Sequence, residues 1–306
     1  MIQQTSIATK KIYSLSMVCR TWEIARSSVY FIRAQRKAGV VEARRRGPAP
    51  AHLDDELKTI IREVINASAF TGEGHRKVWA KLRARGIRIR KDRVLRLMRE
   101  EGLLAPHHPV RIHGNKAHDG RITTDVPDEM WGTDATSTMT RAEGNATIFL
   151  AVDHCTSECI GLHAAAVGDR FEALEPLRQG IREHFGGYDQ NVALGLSLRH
   201  DHGSQYTSRD FQAELKFLGI RSSPSFVREP ECNGVAERFV RTLKEQLLWA
   251  ETFETIEELR QALLAFKDRY NTGWLVQKHG HITPTQARAR LKLYCSSRNR
   301  TWEMSS

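Results

Sequence analysis

Apolar residues recur with two different spacings, and the change falls near residue 130. Before it, the spacing is helical. Residues 14–36 fit a helix, a short turn and a second helix, with Ser27 or Ser28 as the cap of a helix running through Tyr30, Phe31 and Ile32. The string Arg44-Arg45-Arg46-Gly47-Pro48-Ala49-Pro50 then reads as a linker. Leu57, Ile60, Ile61, Val64 and Ile65 follow the i, i+3, i+4, i+7, i+8 pattern of one helix face. After a break at Gly72 and Gly74, Val78 and Leu82 lie one turn apart in a helix ended by Gly86. Val94, Leu97 and Met98 mark another, stopped by Gly102.

Beyond residue 130 short apolar runs alternate with helical segments. Trp131-Gly132-Thr133-Asp134-Ala135-Thr136 predicts a strand carrying an acid, and residues 146–153 form a nearly continuous apolar run, as in a strand buried on both faces. Residues 161–167 are its expected hairpin partner. A helix follows over residues 171–185, a strand over 192–198, a helix over 208–218, a short strand over 220–223, a loop over 229–234 and a long helix from about Val235. That order gives a mixed α/β sheet with helices on its faces.

Charge adds a partner to this picture. The 306 residues carry a formal net charge of +11, which points to a polyanion, nucleic acid first. The excess is dense in the second helical unit, where residues 75–99 include Arg76, Lys77, Arg88, Arg90 and Arg93 and only Asp92 opposes them. With apolar positions occupied at helical spacing, these charges are expected on outer faces, as in a helix-turn-helix that presents its second helix to DNA. The alternative is a solvated basic bundle. No run approaches the ~18 consecutive apolar residues of a membrane span, so no membrane partner is expected. The five scattered cysteines fit a reducing cytosol better than a disulfide framework. Residues 106–126 read as a second linker. Its histidines (His107, His108, His113, His118) have no cysteine nearby, and a zinc site there is rejected.

The candidate chemistry lies in three acids. Asp134 and Asp201 end strands and Glu237 begins a helix, so all three can converge at one sheet edge. Carboxylates gathered without balancing arginines repel one another unless a divalent cation holds them, and oxygen-only ligation suits Mg²⁺ or Mn²⁺. In the helix after residue 235, Ala236, Phe239, Val240, Leu243 and Leu247 make an apolar stripe, while Glu237, Arg241 and Lys244 share a neighbouring face. Helix geometry leaves a second reading equally open: a first-turn Glu that complements the helix dipole and pairs with Arg241.

Three segments decide between the two. The string around Asp134, His200-Asp201-His202-Gly203-Ser204-Gln205-Tyr206-Thr207-Ser208, and Asn233-Gly234-Val235-Ala236-Glu237-Arg238-Phe239-Val240-Arg241-Thr242-Leu243-Lys244 together resemble the integrase core of insertion-sequence transposases, specifically the catalytic subunit encoded by the second reading frame in the insertion sequence 3 family. Thirty-five residues, 202 to 236, separate Asp201 from Glu237, and Lys244 follows seven residues after the Glu, both as in that family. Residues 71–103 resemble the family's helix-turn-helix, and Asn271-Thr272-Gly273-Trp274 with His281-Ile282-Thr283-Pro284 its carboxyl end, with an altered tail. His200 departs from the Ser common at that position. Asp153 ends a buried strand and is expected in a supporting role at most, Cys155 and Cys159 in a structural one, and His200 and His202 at the site's edge without titrating.

The resemblance implies a ribonuclease H-like core and phosphoryl transfer on DNA by a DDE-type transposase. Asp134, Asp201 and Glu237 would be catalytic and metal-binding, and Lys244, Arg241, Arg76, Lys77, Arg88, Arg90 and Arg93 would contact DNA. The implied partners are the element's terminal inverted repeats, target DNA, further copies of the chain on DNA, and an upstream-frame segment to which it is fused. The implied location is the bacterial cytoplasm, at the nucleoid when bound to DNA. The expected division is a helical region and linker over 1–50, a helix-turn-helix domain over 51–105, a linker over 106–126, the catalytic core over 127–290 and a tail over 291–306. Two alternatives remain: a DNA-binding regulator with impaired catalysis, and a ribonuclease H-like nuclease that only hydrolyses.

Overall fold

The computed structural model describes residues 8–37, 51–105, 124–225 and 233–303, with side chains of the last helix described to residue 293. The histidines weighed for zinc, His107, His108, His113 and His118, lie outside the described residues. The chain forms two compact units, Met1–Leu53 and Asp54–Ser306. No described helix is long and apolar enough to cross a membrane.

The first unit holds α1 (Leu15–Thr21) and α2 (Arg26–Lys37). Ser14 caps α1 by accepting the Met17 N–H at 3.2 Å. The cap expected at Ser27 or Ser28 is not one: α2 already starts at Arg26, so both serines lie inside its first turn.

The second unit opens with three helices, α3 (Asp54–Asn66), α4 (His75–Ala84) and α5 (Lys91–Glu100). Their expected apolar faces meet: Leu57, Ile61 and Val64 close on Val78, Leu82, Val94, Leu97 and Met98, all buried. α4 and α5 stop just before Gly86 and Gly102, which both take positive φ.

The sheet has five described strands in the order β3-β2-β1-β4-β5. β1 (Met130–Thr140), β2 (Gly144–Asp153) and β3 (Cys159–Ala165) form an antiparallel meander, and β4 (Ser197–His200) and β5 (Arg221–Pro224) add in parallel beside β1. β2 shows why its sequence is apolar throughout. Ala146, Ile148, Leu150 and Val152 face one layer, with Ala236, Phe239, Leu243, Leu259, Leu263 and Phe266. Phe149 and Ala151 face the other, with Trp131, Leu177, Ile181, Phe211 and Leu215. The first layer is built by α9 (Gly234–Leu243) and α10 (Ile256–Gly273), the second by α6 (Glu175–Phe185) and α8 (Arg209–Leu218), preceded by the single turn α7 (Ser204–Thr207). α11 (Pro284–Glu303) packs on α10. This is the mixed α/β, ribonuclease H-like core preceded by a helix-turn-helix region that the segments predict.

Several boundaries differ from expectation. β1 runs on to Thr140, so Asp134 lies within the strand and does not end it. The helix expected from residue 171 becomes α6 only at Glu175, and β3 starts and ends two residues earlier than expected. The strand over 192–198 begins only at Ser197. Asn191 and Gly195 take φ of +58° and +99°, which turns the chain. Ala193 and Leu196 are buried while Leu194 points out, so the apolar run is a packed turn. Ser208 is the cap of α8, accepting the Phe211 N–H at 3.3 Å, instead of its first residue.

Candidate active site

Strand pairing brings the two aspartates together. β1 and β4 run parallel with Met130 opposite Ser197, Trp131 opposite Leu198 and Gly132 opposite Arg199. Continued by two residues, that register sets Asp134 level with Asp201, and paired positions in adjacent strands share a face. β4 stops at His200, so Asp201 leaves the sheet edge beside the still-extended β1. The Asp134 carboxylate accepts the Ala135 N–H at 2.8 Å, and Asp201 accepts the Gly203 N–H at 2.9 Å. Burial, and then the charge of Asp201, push the Asp134 carboxyl above the usual carboxylate range, against the Ala135 N–H and the Lys244 ammonium. Tyr206 is buried against the pair. Burial first, and then the charges of Asp134 and Asp201, push its phenol up. The Thr133 hydroxyl donates to the Leu150 carbonyl at 2.8 Å and lies 3.4 Å from the Tyr206 hydroxyl.

α9 supplies the third acid. Ala236, Phe239 and Leu243 are buried as the stripe predicts, and Glu237 and Arg241 are exposed beside it. From Lys244 to Leu248 the helix widens into one π turn, closed by the Trp249 N–H on the Lys244 carbonyl at 2.9 Å. Such turns re-aim side chains and are frequent at functional sites. At one end of α9 the Asn233 amide donates to the Thr133 carbonyl at 2.9 Å, and at the other the Lys244 charge acts on Asp134. Glu237 lies between these two points, one turn from Asn233. Among the described residues no group of three or more His, Cys, Asp or Glu is gathered closely enough to hold a metal ion. The strands thus pair Asp134 with Asp201, and Glu237 stands outside a three-ligand set.

Other expected residues are placed differently. His200 is a core side chain, 1% exposed, and not part of the site's edge. Its ring nitrogens lie 2.7 Å from the Asp201 carbonyl and 2.8 Å from the Ser222 hydroxyl, with Tyr206 and Phe211 around it, and burial lowers its pKa. His202 is exposed and contacts the Ser225 carbonyl at 2.7 Å. Cys155 and Cys159 are buried free thiols, Cys155 pushed up to about 12 by burial.

Of the basic candidates, Arg88 and Arg90 are exposed on the segment joining α4 to α5, and Arg76 is exposed with a bond to Gln277 at 3.2 Å. Lys77 is not on an outer face: its ammonium rests over the Trp274 ring, and burial pushes it down to about 7. Arg93 is turned onto Asp54 at 2.9 Å, and the bonds from Arg96 and Arg93 hold Asp54 down at about 2. Long-range partners claim both side chains, which helical spacing cannot register. Sequence patterns also passed over Asn233, Tyr206 and Arg288. The first two stand inside the motif segments, beside the acids. Arg288 is buried among Asp128, Asp153 and Glu158, more than a hundred residues earlier.

Comparison with known proteins gives two family matches: an integrase core domain over residues 218–284 and an HTH-like domain over residues 52–111. The first contains Asn233, Glu237 and Lys244 and begins after Asp201. Relatives include the transposase InsD for insertion element IS2D of Escherichia coli (strain K12), 27% identical over 238 residues, covering 76% of this chain and 76% of that protein. The InsD transposase for element IS2-9 of the same strain is 27% identical and covers 76% and 75%. Similar solved structures include the catalytic core domain of BIV integrase, at a TM-score of 0.39 and 20% identity, covering 57% of this chain and 99% of that one. The HTLV-2 integrase catalytic core domain in complex with magnesium has a TM-score of 0.40 and 16% identity, covering 53% and 97%.

An HTH-like domain followed by an integrase core defines a DNA transposase of the polynucleotidyl transferase class. The relatives it matches are transposases of insertion elements, and the chain is similar to them over three quarters of its length.

Proposed function

We propose that this transposase cuts and joins DNA at the ends of an insertion sequence, and that Asp134, Asp201 and Glu237 are its catalytic carboxylates. The observation that carries the reading is the β1–β4 register, which sets Asp134 level with Asp201 at the sheet edge. Two carboxylates so placed repel each other, and Asp134 is strained further by burial. An oxygen-only site of this charge fits Mg²⁺ or Mn²⁺, held by Asp134 and Asp201 with Glu237 brought in from the first turn of α9. When bound, the metal would polarise the phosphodiester and offset the charge that develops in transfer.

The chain's own groups do the rest. The Lys244 charge acts on Asp134, and in this reading its ammonium holds a DNA phosphate, with Arg241 on the exposed face of the same helix. Arg88, Arg90 and Arg76 can meet the backbone of the element end, supplying register and orientation. Hydrolysis of one phosphodiester leaves a 3′-OH at the element end. Attack of that 3′-OH on a target phosphodiester forms one bond and breaks one, so no external energy source enters. The terminal repeats and target DNA are the proposed ligands, several copies on DNA the proposed assembly, and the bacterial nucleoid the place of action. Fusion to an upstream-frame segment, the division into a helix-turn-helix domain over 51–105 and a core over 127–290, and the flanking linkers belong to the same reading. Incubation with labelled element ends and Mg²⁺ tests it: joined products are expected. Binding without cutting would identify a regulator, and cutting without joining a hydrolytic nuclease.

A further inference from the structure

Asn233 stands at the position before α9 where an asparagine normally caps the helix, yet its side chain makes no cap bond. Asn is among the best capping residues, so the departure needs a cause. The side chain is 7% exposed and is turned onto β1, where its amide donates to the Thr133 carbonyl at 2.9 Å. Its Oδ1 is buried with no hydrogen-bond partner. The approach is so close that a Cβ on Gly132 would lie 2.6 Å from that Oδ1 and 2.6 Å from His154 Nε2. Gly132 is therefore the residue type that lets the helix start touch the strand. Thr133 immediately precedes Asp134, and Glu237 follows Asn233 by one helical turn on the same side.

We propose that Asn233 is a positioning residue that, with Gly132 as its seat, clamps the start of α9, the helix that carries Glu237, to β1 beside Asp134. The inference rests on the carboxylate reading above. The clamp gives up a cap bond and leaves an acceptor unsatisfied, and a fixed link between the two elements that carry the acids accounts for both. Residues that orient metal ligands without touching the metal typically change affinity by about 10–100-fold when removed.

The test is calorimetric titration of the full chain with Mn²⁺, beside melting of the metal-free protein, for wild type, Asn233→Ala, Asn233→Ser and Asp134→Asn. Serine caps helices as well as asparagine does, but it is too short to reach Thr133. The clamp predicts that both Asn233 variants weaken Mn²⁺ binding by about tenfold or more, with metal-free melting close to wild type. Unchanged Mn²⁺ affinity in Asn233→Ala would overturn it. So would normal affinity in Asn233→Ser beside weakened Asn233→Ala, which would make Asn233 a cap, and so would a loss of affinity that only follows a large fall in metal-free Tm. Asp134→Asn separates the two claims. If it binds Mn²⁺ normally, the carboxylate reading fails, and the clamp with it. If it loses Mn²⁺ while Asn233→Ala does not, the clamp alone fails.

Discussion

Arg288→Met removes one guanidinium from beneath three carboxylates. Arg288 is 7% exposed at the start of α11. Its Nε bonds to Glu158, one Nη to Asp128, and the other Nη lies 3.9 Å from Asp153. Asp153 also accepts the N–H of Thr156 at 2.6 Å and of Asp128 at 2.8 Å, so it ties the end of β2 to the chain entering β1. Methionine keeps the apolar stem, and the loss is mainly electrostatic. Breaking a buried ion pair by removing one partner costs about 3–5 kcal/mol, a fall in Tm of roughly 6–20 °C for a unit of this size. The pH dependence is specific. Burial pushes Asp153 and Glu158 up, and Arg288 is the largest influence holding each down. Without it, both folded-state pKa values rise further above their unfolded values. The folded protein then binds protons at pH values where the unfolded chain is ionised, so the variant regains stability as pH falls. Urea unfolding should show a deficit that is widest at pH 7–8 and narrows toward pH 5. A deficit below about 1 kcal/mol at pH 7.5, or one constant from pH 8 to 5, would refute the buried-cluster account.

Three further outcomes are expected. Lys77 titrates near 7 when folded against an ordinary 10.5, so the unfolded chain binds more protons between those values and stability rises with pH across that window; Lys77→Met should flatten this rise in urea melts, and parallel profiles would contradict it. Replacing Arg88 and Arg90 by Gln should flatten the slope of log affinity for element-end DNA against log salt by roughly 0.9 for each phosphate no longer neutralised, whereas Arg93→Gln should mainly lower Tm through Asp54; the reverse pattern would exchange their roles. Lys244→Ala should cut joining of precleaved ends with little change in melting, at a cost on the order of 1–3 kcal/mol in DNA-end binding; normal joining with early melting would make Lys244 a structural residue.

The parts legible in the sequence are those governed by local periodicity. The helix faces at Leu57, Val78 and Val94 and the apolar run of β2 each bury a contiguous pattern, and the structure follows them. The run at Val192 misleads because a turn that packs Ala193 and Leu196 needs the same residues as a strand; the positive φ of Asn191 and Gly195 separates the two. The level placement of Asp134 and Asp201 could be expected from motif order, but their common face depends on parallel pairing across sixty-odd residues. Pairings farther apart left no local mark. Arg288 reaches Glu158, Lys77 lies on Trp274, and the Thr71 N–H and carbonyl are both held by the Gln246 amide at 2.9 Å. His200 beside Asp201 is expected at the site's edge from the sequence, but strand alternation turns it into the core.

Single-turnover joining of precleaved, labelled element ends under Mg²⁺ tests the central claim most directly, with Asp134→Asn, Asp201→Asn and Glu237→Gln compared with wild type and each variant's melting recorded in parallel. Each substitution keeps shape and removes one carboxylate charge. If these three side chains form the reaction centre, each variant joins at least about 10²-fold more slowly while melting near the wild-type temperature. Joining at close to the wild-type rate by any one of the three would contradict that residue's place in the centre, and by Asp134→Asn or Asp201→Asn it would remove the strand-register basis of the account.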